Sequence, residues 1–132
     1  PEIEQNLTHV AGAPAQVLFT PHLAPMNRGI LATCYARPSQ AVTTESVRAA
    51  LHAAYDAEPF VTVRSSSPST KATLGSQQVQ VTAYADARTG WVVAIAALDN
   101  LTKGASGGAV QAANVALGLG ETTGLPLVGL YP

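Results

Sequence analysis

Charge is what this sequence has least of. Asp, Glu, Lys and Arg make up 11% of its 132 residues, against roughly 25% in ordinary soluble domains, so the polar coat is thin and a large contact surface is expected. No basic run exists. Seven Lys and Arg stand against eight Asp and Glu, for a formal net charge of -1, which leaves nothing able to neutralise a phosphate backbone and sets nucleic acid aside as a partner. Long hydrophobic runs are missing too. The longest, residues 91–98, is strand-sized and well short of the roughly 18 residues needed to span a bilayer, so no membrane is expected and a cytoplasmic location is the default. The single cysteine, Cys34, excludes an internal disulfide and fits a reducing compartment. The three histidines, His9, His22 and His52, show no i, i+3 or i+4 spacing and no accompanying carboxylate cluster, so no metal is expected. The chain opens Pro1-Glu2-Ile3-Glu4 without an initiator Met or leader-like pattern and reads as entered midway.

What is present is enough for one core. At 47% hydrophobic content, residues 1–132 are expected to form a single region. Ile3, Leu7 and Val10 fall at helical spacing over residues 2–11. Strands are expected over 16–20 and about 30–37, joined by a loop that Pro21 and Pro25 stiffen. In 44–57 the apolar positions Val47, Ala50, Leu51, Ala54 and Tyr55 make a helical stripe, with Thr43 or Thr44 as cap and Glu45 suited to the first turn. Strands at 60–64, 78–86 and 91–98 follow, the last two joined by the turn Asp86-Ala87-Arg88-Thr89-Gly90 as an antiparallel hairpin; residues 65–76 read as a long loop. In 78–86, Val79, Val81, Ala83 and Ala85 alternate with Gln80, Thr82 and Tyr84. A helix over about 103–119 is unusually small in its side chains. Strands and helices mix without regular alternation, so the class is α+β: a mixed, largely antiparallel sheet covered by helices.

Few residues suggest chemistry. Cys34 shares a strand face with Ile30, Ala32 and Ala36, which favours a core thiol over a nucleophile. His22 and Arg28 lie in one proline-braced loop, where an imidazole and a guanidinium could face an anion, although surface roles are common for both. Gly104, Gly107 and Gly108 at a helix start could admit an anion to free backbone N–H groups or a closely packed neighbour. Their spacing matches neither standard nucleotide motif, and Lys103 reads more readily as a solvated surface lysine than as a ligand.

Three blocks in order carry a resemblance: Pro1-Glu2-Ile3-Glu4-Gln5; Phe19-Thr20-Pro21-His22-Leu23-Ala24-Pro25-Met26-Asn27-Arg28-Gly29-Ile30-Leu31-Ala32-Thr33; and Asp99-Asn100-Leu101-Thr102-Lys103-Gly104-Ala105. Together with Glu121-Thr122-Thr123-Gly124-Leu125 and the tail Gly129-Leu130-Tyr131-Pro132, the chain resembles the C-terminal catalytic and dimerisation region of N-acetyl-gamma-glutamyl-phosphate reductases from end to end. The resemblance implies a fold like the C-terminal domain of glyceraldehyde-3-phosphate dehydrogenase-like reductases. It also implies NADP-dependent reduction of an acyl phosphate in arginine biosynthesis, with a cysteine nucleophile and a proton-transferring histidine both upstream of Pro1. No catalytic residue is therefore carried over, and Cys34-Tyr35, which lacks the family's preceding glycine, does not inherit the nucleophile's role. It implies substrate contacts from His22, Met26 and Arg28, and cofactor-side contacts from Asn100, Lys103, Gly104 and Gly107. Gly108 and Ala113 depart from the family pattern, which often shows side-chain amides there. The implied partners are an N-terminal Rossmann domain, which would bind most of the NADP and receive the 103–119 helix, a second copy across the 78–98 sheet, and a small-molecule substrate. Two other readings are an aminoadipate-phosphate reductase of lysine biosynthesis and a non-catalytic dimerisation module.

Overall fold

The structure, a computed structural model, describes residues 2–131. Its elements in chain order are α1 (Glu2–Ala11), β1 (Ile30–Ala36), α2 (Thr44–Tyr55), β2 (Val61–Val63), α3 (Thr70–Thr73), β3 (Val79–Ala85), β4 (Val92–Leu98), a π-helical turn (Thr102–Ser106) and α4 (Gly107–Ala116). The strands form one mixed sheet in the order β1-β4-β3-β2. β4 pairs antiparallel with both neighbours, Ile30 opposite Leu98 on one side and Val79 opposite Leu98 on the other. β2 runs parallel to β3. The expected α+β class holds, as does the antiparallel 78–98 hairpin.

Local chemistry explains where α2 sits. Thr43 and Ser46 form a reciprocal capping box, with Ser46 N donating to Thr43 Oγ1 at 3.2 Å and Thr43 N donating to Ser46 Oγ at 3.0 Å, which satisfies two otherwise orphaned N–H groups. β2 stops at Val63, so β3 beyond Val81 has no strand on that side. Side chains take over there: Arg48 Nε donates to the Ala83 carbonyl at 3.1 Å, Arg48 Nη2 to the Ser65 carbonyl at 2.8 Å, and Thr82 Oγ1 to the Arg64 carbonyl at 2.7 Å. Backbone groups that would be left unpaired near the sheet thus find partners, and α2 is pinned across β2 and β3.

The interior is small and partly polar. Among the described residues the buried hydrophobic side chains are Phe60, Ala83, Val93 and Ala97, with Pro68 and Gly107 also buried, while Thr73, Ser76, Gln77, Thr82, Asp99 and Asn114 are buried polar ones. The one core that the composition allows is small, and much apolar surface stays open. Every residue of β1 is exposed, and Leu18, Phe19 and Leu23 project with 94%, 69% and 105% of their surface open.

Four local expectations change. Residues 16–20 form no strand, because no ladder partner lies beside them; the segment is held only near its start, by Ala15 N to Thr8 Oγ1 and Val17 N to Glu4 Oε1, both 3.0 Å. Cys34 is exposed and not in a core, because β1 is an edge strand uncovered on either face. The 65–76 loop contains the one-turn α3. The 103–119 helix is two pieces: Gly104 N bonds to the Asp99 carbonyl and Ser106 N to the Leu101 carbonyl, both i to i+5 at 3.0 Å, before α4 proper runs from Gly107 to Ala116. Gly118, at φ +68°, then turns the chain as Leu119 N reaches back to the Asn114 carbonyl at 2.9 Å, the left-handed exit that glycine favours.

Gly107 is required by close approach. A Cβ there would meet Gln77 Oε1 and lie 2.8 Å from the Thr102 carbonyl oxygen, both fixed groups. Gly107→Ala should lower stability by about 1–3 kcal/mol through overpacking, measured as a reduced urea midpoint at unchanged m-value. An alanine variant as stable as the parent would show that the contact with Gln77 relaxes freely.

Candidate functional site

The site is organised by one carboxylate. Asp99 ends β4 with its side chain fully buried, and it accepts from four directions. Arg28 Nη2 lies 2.9 Å from both Oδ1 and Oδ2, Gly75 N donates to Oδ2 at 2.7 Å, and Leu101 N and Thr102 N donate to Oδ1 at 2.8 and 2.9 Å. Burial by itself pushes this carboxyl up. The backbone donors Gly75 and Thr102, the Arg28 guanidinium and the Leu101 amide outweigh it, and together they hold the group well below the usual carboxylate range.

The neighbouring Asn100 adds a second tie, its Oδ1 accepting from Gly29 N at 2.6 Å. The proline-braced loop and the segment after β4, 71 residues apart in sequence, are thereby clasped side by side. Arg28 and Asn100 thus meet through adjacent residues, and Gly104 lies near them, 3.8 Å from Ile30 Cδ1 by the position its Cβ would occupy. Met26 is beside α3, where Thr70 Oγ1 approaches its sulfur at 4.0 Å. His22 stands apart, exposed and without a polar partner among the described residues.

The cleft beside this clasp has a volume of about 540 Å³ and is lined by Pro25, Met26, Asn27, Arg28, Thr70, Lys71, Leu74 and Leu130. Arg28 Nε is buried there without a hydrogen-bond partner. Another hollow, of about 340 Å³, sits by the β3–β4 turn, where Asp86 is engaged by the turn's own Arg88 and Thr89 amides at 2.8 and 3.4 Å; it collects no other acid, base or nucleophile.

Lys103 points into a polar chain. Its Nζ donates to Gln111 Oε1 at 2.7 Å and sits 5.4 Å from the centroid of the Phe60 ring. Gln111 Nε2 donates to Glu121 Oε1 at 2.7 Å, and Gln77 Nε2 donates to Gln111 Oε1 at 2.9 Å. A lysine only donates and a carboxylate only accepts, so the two ends set the orientation of the Gln111 amide. Asn114 Nδ2 continues the chain to the Glu121 and Thr123 carbonyls at 3.2 and 2.9 Å. Gly107 is filled from behind by Gln77 and is a packing glycine in this chain.

Sequence reasoning passed over Lys71, Asp99, Gln77 and Gln111. Asp99 was discoverable: an Asp two and three residues before free N–H groups at the end of a strand is a turn-capping position. Lys71 had no such signal, because α3 was hidden in a polar loop.

Because the folded Asp99 carboxyl is held below the value of about 3.9 it has in an unfolded chain, the unfolded state takes up its proton first. Its stabilisation is full above about pH 4 and is lost as pH falls toward the folded value. Asp99→Asn should cost about 3–5 kcal/mol by leaving Arg28 without its charge partner, and should flatten the acid limb of a stability-versus-pH series below about pH 4. An unchanged acid limb would mean that other carboxyls carry it.

Comparison with known proteins places the sequence in a family. Residues 1–100 match the family described as semialdehyde dehydrogenase, dimerisation domain. The chain is 56% identical over its full length to the N-acetyl-gamma-glutamyl-phosphate reductase of Acidothermus cellulolyticus, and 54% identical to those of Streptomyces coelicolor and Micrococcus luteus. It spans 39% of the length of each of these relatives. With the family model matching most of its residues, the chain belongs to the semialdehyde dehydrogenase dimerisation-domain family.

Proposed function

We propose that this chain is the dimerising and substrate-facing part of an N-acetyl-gamma-glutamyl-phosphate reductase, which reduces N-acetyl-glutamyl 5-phosphate to N-acetyl-glutamate 5-semialdehyde with NADPH. The observation that carries the reading is the clasp: the Arg28–Asp99 and Gly29–Asn100 bonds join the two sequence blocks that resemble that family's substrate and cofactor segments, beside a cleft of substrate size. The names of relatives 51–56% identical support the acetyl-glutamyl substrate over a carrier-linked aminoadipate.

In this reading the chemistry divides between this chain and a nucleotide-binding segment outside it. A cysteine of that segment displaces phosphate from the acyl carbon to give a thioester. NADPH, when bound, supplies the hydride that releases the aldehyde and the thiolate. Cys34 takes no part: it lies on the exposed strand β1, and no base hydrogen-bonds its thiol among the described residues.

The fit to the cofactor is partial. Gly107 is buried against Gln77 and the Thr102 carbonyl and offers no open cradle, whereas Gly104 is exposed. Lys103 is the one cation of the 99–107 segment that could meet a cofactor phosphate, while Asn100 Nδ2 has no partner among the described residues. Lys103 and Asn100 would thus touch the cofactor from its edge, with most of the binding elsewhere. Met26 and the Arg28 loop form the substrate wall, and His22 would reach the substrate only from the loop's outer side. The apolar residues left open on β1 and on the 16–23 segment would be covered by a second copy and by the nucleotide-binding segment. Among the described residues no helix is long and apolar enough to cross a membrane, and a cytoplasmic location is part of the same proposal.

The test is reconstitution. Phosphate-dependent reduction of NADP by N-acetyl-glutamate semialdehyde, the reverse reaction, should be absent from this chain alone and appear on adding a separately expressed nucleotide-binding half. Light scattering should show the chain as a dimer. Activity of the chain alone would overturn the division of labour, and a folded mixture that binds NADP but remains inactive would favour a non-catalytic module.

A further inference from the structure

The cleft beside the Arg28 loop holds two cations, and they are not equivalent. Arg28 is neutralised by the fully buried Asp99 carboxylate, with Nη2 2.9 Å from both oxygens. Its guanidinium is a strut between β4 and the loop. Lys71, also lining the cleft, is exposed and makes no ion pair with any described residue; its ammonium lies by the Tyr131 ring, 5.5 Å from Nζ to centroid. An aromatic face attracts an ammonium without cancelling its charge.

Lys71 is also well placed, despite lying on a one-turn helix. Leu74 N bonds to the Lys71 carbonyl at 3.3 Å, Gly75 N is tied to Asp99, and Leu130 N bonds to the Leu74 carbonyl at 2.8 Å. Gly129 packs on the Ala72 carbonyl, where a side chain would not fit. The tail that carries Tyr131 is therefore held beside α3, and the backbone under Lys71 shares its anchor with Arg28. The cleft is also lined by the apolar residues Met26, Leu74 and Leu130 and by Asn27. An apolar wall near one uncompensated cation strengthens its attraction for an anion.

We propose that Lys71 is the anion-binding, specificity-determining residue of this cleft, receiving an oxyanion of a small acyl substrate, while Arg28 acts as a positioning residue for the loop. The identity of that substrate rests on the reductase reading above; the location of the anion site does not. The oxyanion is a carboxylate or a phosphate, and two probes separate them.

The chain contains only two lysines, Lys71 and Lys103, so each is the other's control. Acetylation of each by an amine-reactive ester is followed by mass spectrometry in N-acetyl-glutamate, in inorganic phosphate, and in sodium chloride of equal ionic strength. Lys71 should be protected by roughly threefold or more in at least one of the first two, with Lys103 unchanged; the protecting anion names the end of the substrate that binds. Equal protection of both lysines, or none of Lys71, overturns the proposal whether or not the reductase reading holds. In the reconstituted enzyme, Lys71→Met should raise KM for the acyl phosphate about tenfold, with kcat and KM for NADPH unchanged, and Lys71→Arg should restore most of the loss. Lys71 is exposed, so these variants should fold as the parent does, and an unchanged KM in an active Lys71→Met enzyme would also overturn it. If no mixture is active, the reductase reading fails and the protection experiment alone decides the role of Lys71.

Discussion

A buried carboxylate with four partners holds this domain's site together. Asp99 has no exposed surface, yet the Gly75, Leu101 and Thr102 amides and the Arg28 guanidinium surround it. Burying a lone charge would be prohibitive, and it is the complete set of donors that makes the position tenable. The donors come from three separate stretches: the proline-braced loop, the turn after α3 and the start of the π-helical turn. One side chain therefore sets the relative positions of three segments that carry the cleft and its flank.

The rest of the chain has more open apolar surface than buried core. Among the described residues, Phe60, Ala83, Val93 and Ala97 make a small buried hydrophobic set for a chain with 47% hydrophobic content. The missing burial shows up as open apolar surface on β1 and on residues 16–23. The thin charge of the sequence and this open surface agree: where an ordinary soluble domain would show Lys and Glu, this chain shows apolar side chains. Polar order is concentrated where the chain must be self-sufficient, at Asp99 and in the Lys103-Gln111-Glu121 chain, whose charged ends orient the amide between them. Around the π-helical turn, small residues let backbone and buried amides approach, as Gly107 does against Gln77. A π-helical turn is a costly local geometry that often marks a functional segment, and here it begins with Thr102, one of the residues tied to Asp99.

Much of the fold was legible because local rules agreed with the tertiary outcome. The α2 stripe with its Thr43 cap, and the alternation of 79–85 opposite the apolar 92–98, depend on periodicity and turn chemistry within a dozen or so residues. The strand expected at 16–20 failed for the opposite reason: a strand is defined by its partner, and composition cannot supply one. Cys34 failed likewise, since period two identifies the face of a strand but not whether anything covers that face.

The candidate site shows the same division. By itself the sequence determined the family resemblance, the α+β class, the helix and hairpin registers and the segments in which function is concentrated. Only the tertiary structure decided that Arg28 is bound to Asp99, that Lys103 turns inward to Gln111, and that Lys71 stands as the uncompensated cation of the cleft. Those roles rest on contacts spanning 8 to 71 residues. Whether a charge is free or neutralised is set by the partner that folding places beside it, and no local pattern encodes that.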